Sequence, residues 1–136
     1  MTRPSAINAP ERETQNRVLD LFATLGYRSL GSLHGQDNRN IRTADLTAWL
    51  QKQGVADGLI AKTLHKLEQA AAVGGVRKLY DANKDVYQLL RYGVKVAPAA
   101  GAQTQTVWLV DWRNPHNNDF AVAEEVSVKG AHDKRP

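Results

Sequence analysis

The chain has no cysteine, one methionine, two phenylalanines and no long apolar run. Without cysteine it can form neither a disulfide framework nor a thiolate metal site, a composition compatible with a reducing cytosol. No apolar stretch approaches the roughly 20 residues that span a bilayer. The N-terminus, with Arg3, Pro4 and Pro10, lacks the apolar region of a signal peptide. The expectation is a soluble, cytoplasmic protein with no membrane partner. Internal repeats and long biased segments are absent too. Gly26 and Gly31 stand at the separation of a phosphate-binding loop, but Ser32 occupies the position where that loop needs lysine. No nucleotide-binding site is expected in these residues.

What is present amounts to one ordinary domain's worth of chain: 136 residues, enough to bury one modest core. A formal charge of +4 and a pI near 9.5 favour an anionic partner, although an excess this small also occurs in proteins that never meet nucleic acid. Residues 1–9 carry no periodicity and are expected to form a flexible arm, with order beginning near Pro10.

Pro10 suits a first helical turn, Glu11 and Glu13 complement the dipole there, and Val18, Leu21, Phe22 and Leu25 share one face before Gly26 ends the helix. Tyr27 to Ile41 is a polar, glycine-bearing connection with room for a short strand. Leu46, Trp49 and Leu50 mark a second helix closed by Gly54. Asp57 caps a third that runs through Ile60, Leu64, Leu67 and Ala71 to the Gly74-Gly75 stop. Asn83 is the expected cap of a fourth, with Val86, Leu89 and Leu90 inward and Gly93 as its exit. Ala97 to Gln103 is a small-residue connector.

Two apolar patterns follow. Thr106 to Trp112 is rich in β-branched and aromatic residues, and Phe120 to Val128 places Phe120, Val122, Val126 and Val128 on one side. Arg113 to Asp119 between them is turn chemistry, so the three segments are expected to make a hairpin. Helices followed by a hairpin permit two architectures. One is an α/β fold in which the first helix packs on a sheet begun by these strands. The other is a winged helix, in which the helices from Leu46 to Tyr92 form the core and the hairpin is the wing.

The hairpin, the segment Leu90-Arg91-Tyr92-Gly93-Val94, and the ending Val128-Lys129-Gly130 with Arg135-Pro136 together resemble the N-terminal region of the restriction subunit of type I restriction-modification enzymes. The resemblance runs from about Glu11 to Pro136. It implies an α/β fold, the N-terminal part of a PD-(D/E)xK restriction-endonuclease-like domain, with helices followed by an incomplete sheet over residues 10–136. In that family an endonuclease domain is paired with a DNA-translocating motor. The complete enzyme cleaves unmethylated foreign DNA with Mg²⁺ after ATP-driven translocation, alongside methylation and specificity subunits. Pro136 matches the proline of the nuclease motif. The metal-binding aspartate and the Glu-x-Lys pair that follow it in the family are not among these residues, so the chain alone is expected to be inactive. The edge left by Phe120 to Val128 is expected to favour self-association.

Within the resemblance Glu11 matches a position near the family's catalytic site, where an acidic oxygen binds Mg²⁺ directly or through water. The same glutamate, like Glu13, also simply answers a helix dipole. Of Glu124 and Glu125 only one can face any single site, because neighbours on a strand point to opposite faces. Glu124 shares the face of Val122 and Val126 and is the one that needs a partner or a role. Lys129, Lys134 and Arg135, with His132, are the candidate contacts to DNA phosphates. His34, His65, His116 and His132 are too scattered for a metal site, and Trp49, Trp108 and Trp112 read as core or interface groups rather than base-stacking platforms. From another function class, a small winged-helix-like DNA-binding or protein-interaction module remains open. Its third helix offers Lys62, His65 and Lys66 against Glu68.

Overall fold

A helix that begins with Pro10 and Glu11 and ends at a glycine opens the computed structural model, which describes residues 9–35 and 41–126. These residues fall into two compact units, 9–35 with 119–126, and 41–118. The expected arm lies almost wholly outside the described residues.

In the first unit, α1 (Ala9–Thr24) is terminated by Gly26 at φ 94°. The Gly26 amide donates to Ala23 O and the Tyr27 amide to Phe22 O (2.9 Å), the paired bonds of a glycine-terminated helix. The accompanying apolar contact is present, with the Phe22 and Tyr27 rings edge to face at 4.8 Å. Tyr27 in turn stacks on Phe120 at 5.3 Å. This contact joins the helix exit to the start of the last strand. β1 (Arg28–Ser32) and β4 (Ala121–Glu124) pair in parallel, Arg28 opposite Ala121 and Ser32 opposite Glu124. The register slips between Ser29 and Ser32, where Gly31 takes φ 73°. Val18, Leu21 and Leu25, the expected inward face of α1, stay exposed among the described residues.

The second unit holds α2 (Thr43–Lys52), α3 (Asp57–Ala71), α4 (Leu79–Tyr92), β2 (Val94–Val96) and β3 (Gln105–Val107). Its core gathers Leu50, Ile60, Leu67, Val94, Val96 and Val107, with Leu50 and Val94 fully buried. α4 starts before Asn83, because the Lys78 amide donates to the Asp81 carboxylate (2.9 Å) and fixes the first turn there. Arg77 closes the preceding connection by donating to Ala70 O and Ala72 O at the end of α3 while pairing with Asp85 at 2.8 Å.

The expected hairpin between Thr106–Trp112 and Phe120–Val128 is not formed. Gln105–Val107 pairs antiparallel with Val94–Val96, Val94 opposite Val107, and the segment after Val107 leaves the strand. The cause is burial: Val94 and Val96 alternate into the core around Lys95, and Val107 supplies the matching apolar side chain across the ladder. Nor do the helices precede the sheet as a block, since β1 comes before α2, α3 and α4. The result is mixed α/β, four helices with two separate two-stranded sheets among the described residues. β4 is also shorter than the Phe120–Val128 edge expected, because Glu125 turns out of the strand at φ 51°.

Gly93 makes the passage from α4 to β2 possible. It adopts φ 82°, ψ 169°, a region nearly closed to other residues, and a Cβ there would lie 2.5 Å from Thr106 Cγ2. Gly93→Ala is therefore expected to lower stability by about 1–3 kcal/mol. Gly58→Ala, in the exposed first turn of α3 with nothing within 4 Å, should raise it by roughly 0.5–1 kcal/mol. Denaturant unfolding of the two variants checks both signs.

Candidate active site and the Asp111 loop

Glu124 closes β4 with its side chain only 10% exposed, so its charge needs compensation. Arg12 Nη1 donates to Glu124 Oε1 at 2.6 Å, and Gln15 Nε2 donates to the same oxygen at 2.5 Å. Arg12 and Gln15 are neighbours on the helix surface, at i and i+3, so the two donors converge on one acceptor. The first turns of α1 are thus fastened to the end of β4. Glu11 sits in that first turn, exposed and beside Arg12. At the other end of the strand, the Arg28 guanidinium grips Asp119 through Nε (3.2 Å) and Nη2 (2.8 Å). This two-point pairing secures the entry to β4.

Sequence reasoning singled out Glu124 as the strand carboxylate in need of a partner, and its partner is an arginine. It missed Arg12 and Gln15, whose only signal is their three-residue spacing on the face that also carries the helix start. Glu125 lies next to Ser32, whose hydroxyl donates to it at 3.3 Å. Lys129, His132, Lys134 and Arg135 lie outside the described residues. His34, His65 and His116 are exposed. Among the described residues no three His, Asp or Glu side chains converge as a metal site. Lys62 donates to Ala97 O and Pro98 O, and Lys66 to Lys95 O, so the cations of α3 are engaged with the β2–β3 hairpin.

The turn expected at Arg113–Asp119 is a polar knot centred on Asp111, with one short 3₁₀ turn at Pro115–Asn117. Asp111 Oδ1 accepts the Asn114 amide at 2.9 Å and the Arg113 amide at 3.1 Å, and Oδ2 accepts Asn117 Nδ2 at 2.9 Å. Asn118 completes it, receiving the Asp111 amide at Oδ1 and donating to Asp111 O. The knot is anchored to α2 by Trp49 Nε1, which donates to Asn117 O at 2.9 Å, and by Asn117 Nδ2, which donates to Gln53 Oε1 at 2.7 Å. The Asn114 amide above all, then Asn117 and Arg113, hold the Asp111 carboxyl below its usual range.

A lowered folded-state pKa stabilises the protein above the unfolded carboxylate value of about 3.9, and that contribution disappears as pH falls through the folded value. Asp111→Asn, which sets an amide against three donors, is expected to lower the melting temperature at neutral pH. The gap to the parent should narrow as pH drops below about 4, measured by thermal unfolding across an acid series.

No helix among the described residues is long and apolar enough to cross a membrane. A family model described as type I restriction enzyme R protein N terminus matches residues 8–136. Comparisons with curated proteins and with solved structures gave no match.

Proposed function

Because the chain belongs to the type I restriction enzyme R protein N-terminal family, we propose that it forms the opening part of a PD-(D/E)xK-type endonuclease domain acting on DNA. The complete enzyme would work in the cytoplasm with methylation and specificity subunits, and would cut unmethylated DNA using Mg²⁺ and ATP. The observation that carries this reading is the fastening of Arg12 and Gln15 to Glu124, which keeps the Glu11 turn at the end of β4. A strand end is where a metal-dependent nuclease of this kind needs an acidic neighbour. Glu11 is the residue here proposed for that place, where its carboxylate would hold Mg²⁺ directly or through water. Lys129, Lys134 and Arg135 are proposed to meet phosphates, whose recognition is charge-driven and salt-dependent.

These 136 residues contain no Glu-x-Lys sequence. The purified chain is therefore expected to show no Mg²⁺-dependent cleavage of DNA. In a complete subunit assembled with its partners, Glu11→Ala should reduce cleavage roughly tenfold or more, the scale seen when a residue supporting a metal ligand is removed. Nicking by the 136-residue chain that Glu11→Ala abolishes would contradict the proposal.

A further inference from the structure

The second unit contains a cleft of about 700 Å³, well within the range of small-ligand sites, floored by Trp49, Val55 and Val107 and walled by Trp108 and Trp112. The two wall indoles are 49% and 51% exposed. Neither is loose. Trp112 Nε1 donates to Leu90 O at 3.0 Å, and the Trp108 ring lies against Gly93, 3.4 Å from where a Cβ would stand. Each ring also carries a cation. The Arg91 guanidinium lies 5.4 Å from the centroids of both Trp112 and Tyr92, and Lys95 Nζ lies 5.9 Å from that of Trp108.

Among the described residues the cleft is lined by two arginines, Arg91 and Arg113, and one carboxylate, Asp111. Asp111 keeps its charge, but both its oxygens already accept from the Arg113, Asn114 and Asn117 donors of the knot. The two guanidinium groups leave the lining with a positive excess. An apolar, rigid aromatic wall selects a flat apolar ring, and a cationic rim selects an anion attached to it. A nucleotide has both parts, but only in an unpaired strand is the face of its base open to stacking. We infer that the Trp108–Trp112 cleft binds an unpaired DNA strand, with a base against the indoles and its phosphate toward Arg91 and Arg113.

The cleft argues for an unpaired strand by itself, and the choice of DNA rests on the proposed function; a binding experiment with the isolated chain, which asks for no cleavage, separates the two. Tryptophan fluorescence of the 136-residue chain is titrated with an oligodeoxythymidylate of about ten nucleotides, within the usual site size for such grooves. A duplex hairpin of matched length and ATP serve as comparisons. Saturable quenching by the oligonucleotide, weakened by salt and at least about tenfold tighter than for the other two, is the expected result. Trp108→Leu and Arg91→Gln should each weaken it by about tenfold, with the melting curve checking the fold. Arg91 is exposed, so its variant keeps the test intact if Trp108→Leu unfolds. Absence of quenching, equal affinity for the duplex or for ATP, or unchanged binding by folded Arg91→Gln would overturn it.

Discussion

Arg28–Ser32 and Ala121–Glu124 run parallel, and two parallel strands cannot be joined by a tight turn. Three helices, a hairpin and the Asp111 knot all lie between them in the chain. The entropy of closing so long a connection grows only slowly with its length, so a few contacts at the strand ends suffice to hold the pair. Those contacts are concentrated there. The helix exit at Gly26 brings Tyr27 onto Phe120, Arg28 holds Asp119 at the entry, and Arg12 with Gln15 holds Glu124 at the end. Each uses a group from the first part of the chain and one from the last.

The second unit solves a different problem by different means. Its core is apolar apart from the buried Thr63, and the segment after β3 is held by hydrogen bonds to one carboxylate instead of by pairing with another strand. Asp111 accepts from two consecutive turn amides and one asparagine, which fixes the turn. The same carboxylate lines the aromatic cleft beside Arg91 and Arg113.

The helices could be read from the sequence because their apolar spacing, end glycines and acidic first turns agreed with one another. Two caps misled: Asp57 is the first helical residue of α3 with Ala56 before it as the cap, and the cap of α4 is Lys78, five residues before Asn83, because asparagine carries no unique signal inside a helix. The hairpin was misplaced for a clearer reason. Thr106 to Trp112 has strand-like composition throughout, yet composition does not say which segment supplies the opposite ladder, and Val94-Lys95-Val96 is too short to announce itself directly after a helix. Glu124 showed its need by sharing a face with valines, whereas nothing in charge counts could show that Lys62 and Lys66 are engaged with backbone carbonyls. Trp49 was rightly read as core. Trp108 and Trp112 differ from it only in their surroundings, which the residue type does not encode.

One carboxylate joins the first helix to the last strand, and a double-mutant cycle between Arg12→Ala and Glu124→Gln, read by equilibrium unfolding, measures that joint. The structure predicts a coupling of about 1–2 kcal/mol, as for residues sharing a polar network. Effects that simply add, with no coupling between the two positions, would contradict it.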